Sequence, residues 1–322
     1  MAVVGIVGAG FIGRAWTVVF ARSGWEAVVT DPSAEVRAAF PGLLRRSLDD
    51  LAAYGLVNDA AAVAARVRVV PTVAEAVAGV DFVQESGPER VEIKREIFSE
   101  LDRLTPPSAI IASSTSAIVA SQFTERLPGR ARCLVGHPVN PPHLVPLVEV
   151  CGAPWTDPEV VERARAIYAS TKQVPIIVHR EVDGFVLNRL QGAVLNEALR
   201  LVGEGVVSPQ DLDKTLKDGL GRRWSFMGPF ETIELNAPGG IGDYATRYSG
   251  MYRIMGGDPP GSKVWDEPTV SKLVAAWGAP PSQDMLDQKG AWRDRRLAAL
   301  QAHMLDQPAA PGVDSTVSKD RK

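Results

Sequence analysis

Short apolar runs alternate with stretches of helical spacing along the first half of the chain. Between residue 3 and about residue 178 the runs are VVGIV, EAVVT, VRVV, DFVQE, AIIAS, RCLVG, LVPLVEV and QVPIIV. Most are followed by a segment with apolar residues every three or four positions. Apolar runs of this length are typical of strands buried on both faces. The pattern predicts an α/β fold with a doubly wound, mostly parallel sheet of the Rossmann type, and two helices between Arg37 and Arg68.

Helical spacing alone continues after the strand signals end near residue 183. The stretch FVLNRLQGAVLNEALRLVGEG repeats apolar residues at three- and four-residue intervals. Ser208, Pro209 and Asp211 then predict the start of a further helix, which Gly219 is expected to end. We predict a Rossmann-type domain over 1–183, an all-helical domain over 184–305 and a disordered tail over 306–322.

Composition narrows the range of partners. The 322-residue chain is 45% hydrophobic and 23% charged, with a formal charge of -3, so neither a nucleic acid nor a membrane surface is an expected partner. Cys133 and Cys151 lie in apolar runs without the spacing of a zinc site, and we expect both to be buried and no metal to be bound. No signal peptide or membrane span is visible, which favours a cytoplasmic protein.

The segment GIVGAGFIG has the spacing of a dinucleotide-binding turn between the first strand and a helix. Its glycines allow a pyrophosphate to approach the helix N-terminus, and Asp31, after the second strand, is suited to bind a ribose diol. An acid there repels a 2'-phosphate, and no arginine occurs in TDPSAEV, which favours NAD over NADP. The alternative is a turn that only packs the helix on the sheet. The predicted cofactor residues of this segment are Gly8, Gly10, Phe11, Ile12 and Gly13.

The stretch CLVGHPVNPPHLVPLVEV contains His137 at the end of one predicted strand and Glu149 in the next. Twelve residues suit a strand, a turn and a neighbouring strand, so the two side chains can meet. A neutral imidazole can accept the proton of a hydroxyl group, and a carboxylate on its other nitrogen stabilises the imidazolium. From spacing alone, His137 can equally be a strand-end residue bonded to backbone, and Glu149 a solvated edge carboxylate. His143 lies in the turn between them.

The motifs GAGFIGRAW, SSTS, GHPVNPPHLVPLVEV, DGFVLNRLQ, EGVVSPQDLD and GPFETIELNAPGG occur in family order over about residues 3–250. Together they resemble the 3-hydroxyacyl-CoA dehydrogenase superfamily, and within it the L-gulonate 3-dehydrogenase and lambda-crystallin branch. The resemblance implies a doubly wound NAD domain, a helical dimerisation domain and a catalytic dyad of His137 with Glu149. It further implies that the Ser116 hydroxyl donates to the substrate oxygen, that Asn188 is an orienting amide near that oxygen, and that the Asn140 amide lies close to the nicotinamide.

Part of this assignment also follows from the residues alone, without the resemblance, because two of them lie at or just after strand ends. Ser116 and Glu85 follow or end predicted strands, where doubly wound folds collect ligands, and Glu85 is a candidate contact of the nicotinamide ribose. Asn188 lies in the first turn of an apolar helix. Ser116 can alternatively cap a helix, and Asn188 can cap one or bond between helices. His143 departs from the aromatic residue that relatives commonly have there.

The sequence predicts an enzyme that binds NAD and a small hydroxy acid between its domains. His137, Glu149, Ser116 and Asn188 are the candidate catalytic residues for oxidation of a 3-hydroxyl, with L-gulonate as the first substrate to consider. L-carnitine and short-chain 3-hydroxyacyl-CoA are the alternatives. A non-catalytic NAD-binding or crystallin-like structural protein is the alternative of another class. The long apolar helices after Phe185 predict a homodimer.

Overall fold

An eight-stranded sheet forms the centre of the fold in the structure, a computed structural model that describes residues 2–277 and 281–307. The strand order is β3-β2-β1-β4-β5-β6-β7-β8, and all neighbours are parallel except β6 and β7. The predicted doubly wound, mostly parallel sheet is therefore confirmed. The strands are β1 Val3–Val7, β2 Glu26–Thr30, β3 Val67–Val69, β4 Phe82–Glu85, β5 Ile110–Ser113, β6 Cys133–Pro138, β7 Leu147–Gly152 and β8 Val174–Ile177.

Helices connect the strands and continue beyond the sheet. The pair predicted between the second and third strands is present as α2 and α3. The α-helices up to the end of the sheet are α1 Phe11–Arg22, α2 Ala34–Ala52, α3 Ala60–Ala64, α4 Val73–Ala76, α5 Val91–Leu104, α6 Ser121–Thr124 and α7 Pro158–Ser170. Those that follow are α8 Leu187–Gly203, α9 Pro209–Lys214, α10 Gly221–Trp224, α11 Pro229–Leu235, α12 Gly240–Gly256, α13 Glu267–Trp277 and α14 Gln283–Asp306.

Both faces of the sheet are buried. One apolar cluster forms around Trp16, Phe20 and Tyr168, and a second around Phe98 and Phe123. Because β4 and β5 are buried at every residue, polar groups that bind a ligand must follow these strands at their carboxyl ends.

The two cysteines lie inside the protein, as the sequence predicted. Cys133 and Cys151 are both free and buried. Burial raises the pKa of each thiol to about 12, so neither is a thiolate at neutral pH.

The chain forms two compact units. One comprises Met1–Asn188 with the residues from Asp287 onward, and the other comprises Arg189–Leu286. The later part of α14 thus belongs to the first unit, whereas the sequence assigned 184–305 to one helical domain; that domain assignment stays a prediction. Of the predicted tail 306–322, residues from 308 onward lie outside the described residues. Within the described chain, no helix has the length and apolar character needed to cross a membrane.

One predicted helix end is wrong. Ser208 caps α9 as expected, because its hydroxyl accepts from the Asp211 backbone N–H at 3.1 Å. Gly219 does not end the helix, since a π-helical segment, Thr215–Leu220, carries the backbone directly into α10. A glycine lowers helix propensity by about 1 kcal/mol, which the wider turn and the following helix override.

Candidate active site

The glycine turn after β1 has the shape that a dinucleotide requires. Gly8 has φ +99°, a conformation that favours glycine, and a Cβ on it would lie 2.7 Å from the Ser86 carbonyl oxygen. A Cβ on Gly13 would lie 1.8 Å from the Gly8 carbonyl oxygen, so α1 packs directly on the turn. A Cβ on Gly10 would meet nothing within 4 Å. The turn therefore leaves open space at the N-terminus of α1, which fits a pyrophosphate.

Asp31 is held beside this turn. Its Oδ2 accepts from the Ala9 backbone N–H and its Oδ1 from the Ser33 backbone N–H, both at 2.9 Å. Each oxygen keeps a lone pair for the hydroxyls of a ribose, so the geometry fits the predicted role. The sequence reasoning missed Arg37, whose Nη1 donates to the Asp31 carbonyl oxygen at 2.5 Å.

The two residues between Gly10 and Gly13 face different surroundings. Phe11 begins α1 and is 39% exposed, and the Arg14 guanidinium lies 5.4 Å from the centre of its ring. Ile12 is partly buried against the apolar cluster around Trp16. The predicted contribution of both residues to the cofactor site stays a prediction.

Glu85 lies inside the protein rather than at the surface of the crevice. It is fully buried, and Lys94 Nζ donates to both of its carboxylate oxygens at 2.8 Å. Ser113 Oγ donates to Oε2 at 2.6 Å, and the Gly87 backbone N–H donates to Oε1 at 2.5 Å. Lys94 also donates to the Gly87 carbonyl oxygen at 3.1 Å. This ion pair fixes the turn between β4 and α5, and the structure does not expose the Glu85 carboxylate to a ribose.

His137 and Glu149 are directly opposite each other on β6 and β7. The antiparallel pairing results from the chain reversal through the two prolines, and it brings Nδ1 of His137 to 2.7 Å from Oε2 of Glu149. Both side chains are buried, with 6% and 0% of their surfaces exposed. A carboxylate only accepts, so Nδ1 carries the hydrogen and Nε2 is the free nitrogen.

Glu149 also holds the segment that leads into α8. Its Oε1 accepts from the backbone N–H groups of Val186 and Leu187 at 2.8 and 2.9 Å. Burial opposes ionisation, but the hydrogen bonds from His137, Leu187 and Val186 outweigh it and hold the pKa of Glu149 below its ordinary value. The group is therefore a carboxylate at neutral pH.

Phe185 forms another wall around the imidazole. Its side chain is fully buried and its ring centre lies 5.7 Å from that of His137. Its φ of 47° is unusual for a residue other than glycine, and the preceding Gly184 also has a positive φ. The sequence reasoning missed this contact, although a glycine next to an aromatic residue at a predicted domain boundary is a local signal for such a turn.

Ser116 and Asn188 are joined by a hydrogen bond. Asn188 Nδ2 donates to the Ser116 carbonyl oxygen at 2.8 Å. Glu89, which the sequence reasoning missed, fixes the same loop: its Oε1 accepts from the backbone N–H groups of Ser116 and Ala117 at 2.9 and 3.0 Å. The Thr115 hydroxyl donates to the same oxygen at 2.5 Å. The Ser116 hydroxyl donates to the same oxygen at a long 3.5 Å, and the residue is exposed, so a ligand can reach this hydroxyl.

Asn140 and His143 lie in the loop after β6 and have different environments. Asn140 is exposed just beyond the strand, and its predicted proximity to the nicotinamide stays a prediction. His143 is 9% exposed, and its carbonyl oxygen accepts from Arg22 at 2.9 Å. Burial, together with Arg22, Arg14 and Arg293, lowers the pKa of His143 to about 3, so this ring is neutral at neutral pH.

Comparison with known proteins gives consistent matches along the chain. The NAD-binding domain of 3-hydroxyacyl-CoA dehydrogenase matches residues 3–182, and its C-terminal domain matches residues 184–263. Lambda-crystallin of Oryctolagus cuniculus is 38% identical over 94% of this chain and 97% of its own length. L-carnitine dehydrogenase of Pseudomonas putida is 32% identical over 95% of both chains.

A solved structure supports the same assignment. It is that of 5-formyl-3-hydroxy-2-methylpyridine 4-carboxylic acid 5-dehydrogenase, an NAD+-dependent dismutase. The TM-score is 0.82 at 26% identity, over 96% of this chain and 100% of that one. The glycine turn and Asp31 fit NAD, the cofactor named for the matching domain and for this solved structure. The chain therefore belongs to the 3-hydroxyacyl-CoA dehydrogenase family of NAD-dependent oxidoreductases.

Proposed function

We propose that this protein oxidises the 3-hydroxyl of a small 3-hydroxy acid, of the L-gulonate type, to the 3-keto acid. The observation that carries the proposal is the 2.7 Å hydrogen bond between Nδ1 of His137 and Glu149. In the neutral ring this bond places the hydrogen on Nδ1, so Nε2 is the nitrogen that can act as a base. The carboxylate that orients the ring also stabilises the imidazolium formed when the ring accepts a proton.

The remaining side chains have distinct roles in this reaction. NAD, when bound, supplies the acceptor for the hydride that leaves C3. His137 takes the hydroxyl proton and later releases it to solvent, so the products are the keto acid, NADH and a proton. The exposed hydroxyl of Ser116 donates to the substrate oxygen, and Asn188 keeps the Ser116 loop in position through its 2.8 Å bond. Phe185 limits access of water to the ring, because it is fully buried against it.

The substrate assignment rests on the family branch and has named competitors. The lambda-crystallin of Oryctolagus cuniculus is 38% identical over 94% of the chain, against 32% over 95% for the L-carnitine dehydrogenase of Pseudomonas putida, which favours the branch that the sequence motifs resemble. A second candidate is L-carnitine, because an L-carnitine dehydrogenase of Burkholderia mallei is 41% identical over 71% of the chain. A 3-hydroxyacyl-CoA dehydrogenase of Gibberella moniliformis is 36% identical over 92% of it, so a short-chain thioester is a third.

A substrate panel tests the proposal. NADH formation is measured with L-gulonate, L-carnitine, other free 3-hydroxy acids and 3-hydroxybutyryl-CoA, with the His137→Ala variant as the control for activity at this site. We expect kcat/KM to be highest for a free sugar acid. A clear preference for L-carnitine or the thioester would contradict the substrate assignment. NAD binding without turnover of any of these would favour the non-catalytic alternative.

We also propose a homodimer formed through the unit Arg189–Leu286. Large apolar side chains on it are strongly exposed in the single chain, among them Phe230 at 72%, Leu235 at 73% and Ile254 at 79%. An exposed apolar surface of this kind usually marks an interface. Light scattering at micromolar concentration should give twice the mass of one chain, and the Ile254→Glu variant should have a lower measured mass. A fully active monomer would contradict the proposal.

A further inference from the structure

A cluster of hydrogen-bonded side chains lies beneath the glycine turn, and the dyad does not use it. Tyr168 Oη donates to Gln84 Oε1 at 2.6 Å, and Gln84 Nε2 donates to Ser114 Oγ at 2.8 Å. Trp16 Nε1 donates to the same Ser114 oxygen at 3.1 Å. Ser114 Oγ lies 2.9 Å from Ser86 Oγ. The cluster thus leads from the fully buried Tyr168 to Ser86, which is only partly buried.

The direction of the hydrogen bonds follows from the fully buried end. Burial raises the pKa of Tyr168, so its proton is present at neutral pH, and Gln84 is its one hydrogen-bond partner among the residues that the structure describes. Gln84 must therefore accept with its oxygen and turn its NH2 group toward Ser114. Ser114 Oγ then accepts two hydrogen bonds, one from Gln84 and one from Trp16. Its own hydrogen is left to donate to Ser86.

Ser86 is consequently the last residue in this series of hydrogen bonds, and its hydroxyl hydrogen is not used within the series. Its oxygen accepts from Ser114, and in the described part of the protein no other group bonds to its hydroxyl. Ser86 directly follows β4, its backbone N–H donates to the Val7 carbonyl oxygen at 2.7 Å, and its carbonyl oxygen abuts Gly8. The strand order reverses between β1 and β4, which is where doubly wound folds bind ligands.

We infer that Ser86 is a further cofactor-binding residue, whose hydroxyl donates to a pyrophosphate or ribose oxygen in the nicotinamide half of NAD. A pyrophosphate oxygen carries no hydrogen and can only accept, and a ribose hydroxyl can accept as well as donate. Both are therefore suitable partners for a hydroxyl that donates. The buried chain from Tyr168 gives the Ser86 hydroxyl a fixed role as a donor. The adenosine half would be held near Asp31, after β2, and would not contact the Ser86 hydroxyl.

The test compares Ser86→Ala with the unchanged protein by calorimetric titration of AMP, ADP, ADP-ribose and NAD. We expect the variant to bind ADP-ribose and NAD about three- to tenfold more weakly, the range for one lost hydrogen bond, and AMP with unchanged affinity. Weaker binding of ADP identifies a phosphate acceptor, whereas weaker binding that begins with ADP-ribose identifies a ribose hydroxyl. Ser170→Ala, which removes an exposed hydroxyl from α7, is the matched control.

Three results would overturn the inference: unchanged NAD affinity, an equal loss for AMP, or a loss for NAD without one for ADP-ribose.

Tyr168→Phe tests the direction of the chain without touching the crevice. Without the tyrosine proton, Gln84 is free to rotate its oxygen toward Ser114, which then accepts from Ser86 and removes the donor from the cofactor. The variant should weaken NAD binding in the natural background and have no further effect in the Ser86→Ala background. An equal loss in both backgrounds would show an effect that does not pass through Ser86 and would refute the relay. Circular dichroism checks the fold, and the Ser86→Ala titrations decide the cofactor contact even where Tyr168→Phe is unstable.

Discussion

Glu149→Gln separates the charge of the carboxylate from its shape. The glutamine can keep its oxygen on the backbone N–H groups of Val186 and Leu187, which bond to Oε1 of Glu149 at 2.8 and 2.9 Å. Its NH2 group then faces Nδ1 of His137, where Oε2 lay at 2.7 Å. An NH2 group can only donate, so Nδ1 becomes the acceptor and the hydrogen moves to Nε2. The ring would be correctly located but in the wrong tautomer for a base.

The expected loss of rate is large because the substitution removes two things: the His137 tautomer that can act as a base, and the negative charge that stabilises the imidazolium. General base catalysis contributes on the order of 10²–10⁴-fold, and removing the orienting charge of a histidine base costs about 10⁴-fold in serine proteases. We therefore expect kcat for hydroxy acid oxidation to fall by about 10²–10⁴-fold. The NAD dissociation constant should change little, because the glycine turn and Asp31 do not contact Glu149.

The same variant changes stability in a pH-dependent way. The pKa of Glu149 is depressed in the folded protein, so its ionisation stabilises the fold above the ordinary value of 4.5, and this contribution is lost as the pH falls through the folded value. At pH 7 the variant should be less stable by about 1–3 kcal/mol, the range for hydrogen bonds to a charged group. The difference should shrink as the pH falls below about 4.5.

The loss of rate is measured from the initial rate of NADH formation, by absorbance at 340 nm. The loss of stability is measured by urea unfolding at several pH values. Glu181→Gln is the matched control, because Glu181 also lies in the segment before α8 but bonds to the Ser121 backbone N–H, at 2.7 Å, and not to His137. A near-normal rate in Glu149→Gln would refute the role assigned to the carboxylate. An equal loss in Glu181→Gln would show that the segment, rather than the dyad, controls the rate.

Three further substitutions probe other parts of the structure. Gly13→Ala should abolish detectable NAD binding by calorimetry and destabilise the protein by at least about 1–3 kcal/mol, because the new Cβ would lie 1.8 Å from the Gly8 carbonyl oxygen. Lys94→Ala should lower the free energy of unfolding in urea by about 3–5 kcal/mol, since it leaves the buried Glu85 without its counter-ion; a loss below 1 kcal/mol would contradict this. The unfolded chain protonates His143 more readily than the folded one, so stability is lost as the pH falls from 6.5 toward 3. His143→Phe should remove about 2 kcal/mol of that loss between pH 7 and pH 5. If the free energy of unfolding in urea fell equally with pH in the two proteins, the prediction would be contradicted.

The sheet and the opposed positions of His137 and Glu149 on neighbouring strands could be predicted because their signals are local. Most strands are short apolar runs, and several of them, such as β1, β2 and β4, end at or before a polar residue or a glycine. The segment from His137 to Glu149, which lies twelve positions later, contains one strand end, one turn and one strand start, so the alternation of side chains along the strands fixes their register. Whether the ring bonds to the carboxylate or to backbone could not be decided, because that depends on rotamers.

Glu89 and Lys94 could not be found in the same way. The partners of Glu89 are distant in sequence, and the charged residues around Lys94 give a misleading signal. Lys94 lies in VEIKREIFSELDRL, whose charged residues indicate a solvated helix face, yet its side chain is 1% exposed. Glu89 bonds to a loop 26 to 28 residues away. Neither contact has a periodic pattern: the Glu89 contact forms when the sheet brings β4 and β5 together, and the Lys94 contact forms when α5 folds back on the end of β4.

These unpredicted contacts explain how the predicted ones are held. Glu89 fixes the backbone of Ser116, the Ser116 carbonyl oxygen accepts from Asn188, and the neighbouring Leu187 donates its backbone N–H to Glu149, which holds His137. Ser116 and His137, the proposed hydroxyl donor and the proposed base, are therefore connected through a continuous series of hydrogen bonds across one peptide link. Rate is sensitive to displacements of about 1 Å between such groups. The carboxylates at both ends of this series act on geometry as much as on charge, and this is why a site assembled from β5, β6, β7 and the start of α8 can hold one arrangement before substrate arrives.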